Sequence, residues 1–284
     1  MYRFLLVAIL TINVPAFAND VQMTLSSQEL NQGGVIHLKI HEKKGERPEL
    51  RWLEKEVYLL YRPDKKIYEG FIAADLEQKP GTYDLTLLFK PSAIEKHHKI
   101  KILHKDYGVR RLTLPPGQVN LSEKDLVRVN SEKEIIDRLW AEPDTPVLFN
   151  APFIMPIESE IIGPFGRRSV INDQPRSPHT GVDLRGKKGT PVKASNEGRV
   201  VFTGDHFFTG NTVIIDHGAA IFTMYFHLDK INVNNNELIK QGDILGTVGS
   251  TGRSTGPHLH WGVRVNNMRI DPVSLVKVSS HMEE

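Results

Sequence analysis

Residues 258–265 read His-Leu-His-Trp-Gly-Val-Arg-Val. Successive side chains on a β-strand point to opposite faces, so residues two apart share a face. His258 and His260 then project together, and Leu259 and Trp261 project the other way. Such a strand needs partners, and the sequence before it supplies them. Gly198-Arg199-Val200-Val201-Phe202 reads as one strand. Thr212-Val213-Ile214-Ile215-Asp216 reads as a second, turning at His217-Gly218 into Ile221-Phe222-Thr223-Met224-Tyr225-Phe226-His227. Leu245-Gly246-Thr247-Val248-Gly249 is a further candidate. Glycine is frequent from about residue 147 and helix signals are nearly absent, so residues 147–278 are expected to form an antiparallel β-sheet domain. A polar tail, 279–284, contains His281 and is expected to be disordered.

Toward the N-terminus, the chain is again β in character. Val35-Ile36-His37-Leu38-Lys39-Ile40 and Tyr83-Asp84-Leu85-Thr86-Leu87-Leu88 alternate with a period near two, and Val57-Tyr58-Leu59-Leu60-Tyr61 is a third candidate. Turn signals at Asn31-Gln32-Gly33-Gly34, Arg62-Pro63-Asp64 and Lys79-Pro80-Gly81 separate them. Residues 19–118 are therefore expected to form a small β-sandwich. His37, His41, His97, His98 and His104 lie there without a shared short-range pattern and read as ordinary surface or strand histidines. Residues 119–146 change character. Ser122-Glu123 and Ser131-Glu132-Lys133-Glu134 offer caps, and Ile135, Ile136, Leu139 and Trp140 make an apolar stripe, which predicts a helical linker. The whole chain is thus expected to be all-β apart from that linker.

The first eighteen residues have one positive charge at Arg3, a short apolar run and Ala16-Phe17-Ala18, the features of a secretory signal cut after Ala18. Export to the periplasm or cell envelope follows, or secretion where no outer membrane exists. Nothing later is apolar enough to span a membrane. Lys and Arg total 36 against 34 Asp and Glu, a net charge of +2, which is too even to point to nucleic acid. With no cysteine in the chain, disulfides, thiol catalysis and Cys-based metal sites are excluded, and any zinc site must use His and carboxylate.

Six of the 12 histidines fall between residues 179 and 260. The pair His258 and His260 suits a metal, or a metal for one and proton transfer for the other. His179-Thr180-Gly181-Val182-Asp183 adds a second cluster. Residues four apart on an extended strand are ~13 Å from one another at ~3.3 Å per residue. Both can reach one ion only if the chain bends, and Gly181 permits a bend. Together the clusters suggest two His and one Asp around a metal with an open position, the catalytic rather than the structural pattern for zinc.

The stretch from Phe165-Gly166-Arg167-Arg168 to Asp271-Pro272 resembles the lysostaphin-type (LytM-type) zinc metallopeptidases. The matching pieces are HTGVDL (179–184), GTPVKASNEGRVV (189–201), GNTVIIDHG (210–218), YFHL (225–228) and QGDILGTVGSTGRSTGPHLHWGV (241–263). The resemblance implies one zinc ion per chain on His179, Asp183 and His260, with His227 and His258 as catalytic histidines that do not bind the metal. It implies cleavage of peptidoglycan stem-peptide cross-links, and for the N-terminal domain it leaves open orienting the enzyme, binding the wall or a regulatory or targeting partner, and covering the groove until displaced. Zinc lowers the pKa of bound water to ~7, and a nearby histidine suits the accompanying proton transfers. Both His227 and His258 are candidates for the base. Tyr225, two residues before His227, is expected to share its face and line the groove. His206 is placed on the surface or at the groove, His217 in a structural turn, and Arg253 near a substrate carboxylate. Asn234-Asn235-Asn236 stands where the family usually has a glycine turn, and asparagine tolerates left-handed backbone. The alternative function is a non-catalytic wall-binding or hydrolase-activating module. The five filled positions argue against it.

Overall fold

The computed structural model describes residues 22–113, 121–141 and 146–282. The signal segment and its cut site lie outside the described residues. The N-terminal part is two sheets packed face to face. One holds Met23–Leu25, Val35–His41, Ile67–Ala73 and Leu60–Arg62 in that spatial order. The other holds Glu29–Asn31, Ile94–Leu103, Gly81–Lys90, Arg47–Trp52 and Lys55–Val57. Leu38, Ile40, Leu50, Trp52, Leu85, Leu87 and Phe89 fill the space between them. The Trp52 indole N–H donates across the core to Ala73 O at 2.6 Å.

The expected strand 57–61 is two strands in different sheets. Val57 ends one and Leu60 begins the other, so the chain changes sheets at Tyr58-Leu59. Gly70 makes room for that crossing, because a Cβ there would lie 2.9 Å from Leu59 Cδ2 and 3.0 Å from Tyr58 O.

The C-terminal part is built on a large antiparallel sheet. Its main path runs Ile161–Gly163, Gly181–Arg185, His258–Val265, Ile221–Ile231, Gly210–Asp216, Gly198–His206, Leu238–Ile239. One face buries Leu259, Trp261, Val263, Ile221 and Tyr225 in the core. The opposite face carries Phe222 and Met224, and the helix Glu123–Ala141 lies on it through Trp140. The Trp140 ring meets Phe222 edge-on at 4.9 Å, and the Arg264 guanidinium sits over it at the same spacing. The helix begins where the serine cap predicts, with Asp125 N–H donating to Ser122 Oγ. Among the described residues, no helix is long and apolar enough to cross a membrane.

The two parts share one continuous hydrophobic core. Val109–Leu112 pairs in parallel with Arg168–Ile171. Tyr107 meets Phe165 edge-on at 5.5 Å and donates from its hydroxyl to Gln32 O at 2.6 Å. Gly166 must lack a side chain, since a Cβ there would enter the Tyr107 ring at 2.3 Å. Arg269 grips Asp75 with a fork of two bonds at 2.6 and 3.0 Å.

Two expectations for the C-terminus are corrected. Pro272–Ser279 is a helix, not strand or loop. Asp271 caps it by accepting from Val273 N–H, and Pro272 occupies the first turn, where its missing N–H costs nothing. The tail is ordered through Met282, which is buried in the core. Asn236 has φ of 69°, so asparagine does hold the left-handed turn.

Candidate metal centre and its groove

Asp183 lies on Gly181–Arg185, directly opposite His260 on the neighbouring antiparallel strand. Phe226 flanks His260 from the other side. Its ring is stacked on the imidazole, with centroids 5.2 Å apart and planes within 3°. His179 sits just before the Gly181 strand. Its backbone N–H donates to Arg167 O, and its carbonyl accepts from Gly166 N–H. These contacts bring His179 Nε2 to 3.1 Å from Asp183 Oδ1 and 3.0 Å from His260 Nδ1. His260 Nδ1 is 2.9 Å from the same carboxylate oxygen.

Two glycines make this closeness possible. A Cβ on Gly163 would lie 2.1 Å from Asp183 Oδ2, and one on Gly181 would lie 2.6 Å from His260 Nε2. Gly181 thus acts through space and not through an unusual turn, since its φ is not positive. Nothing in the sequence-based reading singled out Gly163. Its signal is the Gly163-Pro164 pair just before Phe165, with Pro164 O accepting from His179 Nδ1 at 2.9 Å.

That hydrogen bond settles the His179 tautomer. A carbonyl only accepts, so Nδ1 carries the proton and Nε2 keeps its lone pair for the trio. Two imidazole nitrogens and one carboxylate oxygen then converge within 4.8 Å of one another. Three lone pairs aimed at one point repel unless a cation or shared protons lie between them. The donor set is one that suits a divalent metal with an open position. Burial pushes the Asp183 carboxyl up, but the close contacts with the His179 and His260 imidazoles outweigh it and hold it far below the usual carboxylate range. Burial pushes His179 down, while its contact with Asp183 more than restores it, leaving it above its ordinary value. Burial keeps His260 below its ordinary value.

His227 reaches the same place by a backbone irregularity. Its φ is 62°, and the pairing of its strand with Gly210–Asp216 slips between Asn211 and Val213. Such bulges re-aim a side chain. Phe226 and His227 consequently both turn toward His260, although they are adjacent in sequence. The expectation for Tyr225 fails for the same reason. The bulge breaks the two-residue alternation, so Tyr225 is fully buried, with its hydroxyl donating to Ser195 Oγ at 3.0 Å.

The His227 and His258 rings are 4.9 Å apart, and one loop holds both. Thr251 O is 2.9 Å from His227 Nδ1, and Gly256 O is 2.8 Å from His258 Nδ1. Each ring therefore carries its proton on Nδ1 and presents Nε2 as a base. Nε2 of His258 lies 3.7 Å from Asp183 Oδ1. Burial pulls His227 down to about 4, so it is neutral at physiological pH.

The remaining candidates disperse. His217 is buried between Glu197 O at 2.6 Å and Thr223 Oγ1 at 2.8 Å, away from the trio. His206 is buried against Phe202 with ring centroids 4.5 Å apart, and it does not line the groove. Phe208 does. A groove of about 560 Å³ opens over the trio, walled by Phe208, Arg167, Arg176, Arg253 and, from the N-terminal part, Arg110.

Residues 177–272 match Peptidase family M23, a span that contains His179, Asp183, His227, His258 and His260. The chain is 40% identical over 119 residues to the DD-carboxypeptidase/endopeptidase Mpg of Neisseria meningitidis, covering 42% of this chain and 27% of that protein. It is 42% identical over 106 residues to the peptidoglycan DD-endopeptidase ShyA of Vibrio cholerae, covering 37% and 24%. The chain thus spans about a quarter of the length of these curated relatives. A crystal structure described as a peptidase M23 from Pseudomonas aeruginosa matches with a TM-score of 0.62 at 27% identity, over 87% of this chain and 95% of that one. A likeness this long takes in the N-terminal sheets as well as the M23 span.

Proposed function

Because residues 177–272 carry a Peptidase family M23 domain, we propose that this protein is a zinc-dependent endopeptidase that hydrolyses peptide cross-links of peptidoglycan outside the cytoplasmic membrane. The observation that supports it most is the convergence of His179, Asp183 and His260 in the lining of an open groove, with the His227 and His258 imidazoles packed close by. The relatives named as peptidoglycan endopeptidases support the substrate class.

His179 through Nε2, Asp183 through Oδ1 and His260 through Nδ1 would hold zinc. When bound, zinc supplies Lewis acidity and lowers the pKa of coordinated water. The chain itself handles the protons. His258 and His227 are each anchored through Nδ1 on a carbonyl, which leaves Nε2 available for proton transfer. A ring in that state accepts a proton during attack and returns it to the leaving amine. A protonated ring also donates to the developing oxyanion. Loop 249–256 positions both rings, and Phe226 fixes the plane of His260.

The test is incubation of the zinc-loaded mature protein with purified peptidoglycan, followed by mass spectrometry of the fragments. New amino termini at the bond between D-alanine and the diamino acid are expected. A metal-free, inactive protein that pellets with cell walls would favour the binding-module reading instead.

A further inference from the structure

The groove over the trio is lined by four arginines, Arg110, Arg167, Arg176 and Arg253, and by one carboxylate, Asp183. The chain as a whole is nearly balanced, at +2. The imbalance in the groove is therefore local. Outside the groove five of the described arginines meet acids, Arg62 with Glu69, Arg128 with Glu132, Arg168 with Glu77, Arg185 with Glu160 and Arg269 with Asp75, while Arg138, Arg199 and Arg264 donate to backbone carbonyls. Among the described residues, no carboxylate pairs with Arg110, Arg167 or Arg176, and Arg176 instead donates to the Gln174 amide oxygen at 3.0 Å.

Each of these residues is placed by a defined backbone contact, Arg176 through its N–H to Ser169 O. Arg110 is opposite Ser169 in the parallel pairing of Val109–Leu112 with Arg168–Ile171, and both residues line the groove. Arg168, one residue away, turns out to Glu77. Arg167 stands beside the metal trio, since its carbonyl receives the His179 N–H. Arg253 lies over the Phe208 ring, 5.7 Å from its centre, and donates its backbone N–H to Phe208 O at 2.9 Å.

A guanidinium matches a carboxylate with two parallel hydrogen bonds, and a groove of one sign concentrates ligands of the other. We propose that the groove reads free carboxylates on the peptide it takes, with Arg110 and Arg167 as specificity-determining residues, so that the N-terminal part completes the substrate site. This inference rests on the peptidase reading for the nature of the ligand. The carboxylate can come from an acidic side chain or from a peptide C-terminus.

The experiment measures binding to the metal-free full chain, which separates recognition from cleavage. The probe is a fluorescent synthetic tetrapeptide with one glutamate side-chain carboxylate and a free C-terminus. It is compared with versions amidated at the side chain, at the C-terminus or at both. The free-acid peptide should bind at least tenfold more tightly than the doubly amidated one, and the singly amidated peptides show which carboxylate is read. Arg110→Gln and Arg167→Gln should each remove most of that preference, about tenfold for a lost charge-assisted pair. Arg110→Lys should retain part of it. Both positions are partly or fully exposed, and unchanged circular dichroism verifies folding. Equal affinity for all four peptides, or full preference in both glutamine variants, would overturn the proposal. Cleavage of peptidoglycan by the zinc-loaded chain with no such preference would leave the peptidase reading standing and this inference refuted.

Discussion

Asp183 and His260 face each other across two antiparallel strands, and Oδ1 and Nδ1 lie 2.9 Å apart. Sheet register alone thus places two of the three proposed ligands. Because His258 shares a face with His260, the same register brings its Nε2 to 3.7 Å from Asp183 without entering the trio. His260→Ala should lose zinc, measured by atomic emission after dialysis. His258→Ala should keep zinc and lose turnover by about 10²–10⁴-fold, the usual contribution of a general acid or base. Equal zinc loss in both variants would refute the division of roles.

Gly163→Ala tests the wall behind the carboxylate. Its Cβ would overlap Asp183 Oδ2, so the carboxylate must swing away from the imidazoles. The strand Ile161–Gly163 is at the sheet edge, so the fold should survive. Zinc affinity should fall roughly 10–100-fold, in line with the loss of an orienting contact around a metal ligand. Competition with a chromophoric chelator measures it.

His217 should make the fold acid-sensitive. Burial lowers its pKa to about 4. The unfolded chain takes up a proton below the ordinary value near 6.5, while the folded chain does not. Stability from this group is therefore complete above about pH 6.5 and is lost as pH falls toward 4. At pH 5 the loss is roughly 2 kcal/mol. Urea unfolding at pH 7 and pH 5 should show it, and His217→Asn should flatten the pH dependence by that amount.

Removing residues 19–113 should destabilise the remainder and not release a freestanding enzyme. The cut uncovers Phe165 and Gly166, which Tyr107 covers, and it takes Asp75 from Arg269. Losing a buried aromatic contact of this kind costs about 3 kcal/mol or more. A truncated chain with an unchanged melting temperature would show that the two parts are separable.

Much of this was readable from residues. The two-residue period of His258-Leu259-His260 placed both imidazoles on one face, and the serine cap and apolar stripe placed the helix. The sequence could not reveal where alternation breaks. Tyr225 and His227 look equivalent by count, yet a left-handed residue between two paired segments sends one inward and the other outward. Arg110 was equally hidden, because its position depends on a parallel pairing between segments some sixty residues apart. The short helix after Asp271 was legible in its cap and proline, but the surrounding glycine-rich strands masked it.

The left-handed backbone at His227 separates two things usually judged together. A non-glycine residue in that region stores about 1–2 kcal/mol, so the imidazole stands where a sheet optimised only for durability would not keep it. A redesigned or drifting descendant could straighten that strand, melt at a higher temperature, preserve every histidine in its alignment and still be inert. Identity at the five positions is therefore a weaker criterion of competence than the torsion angle at one of them.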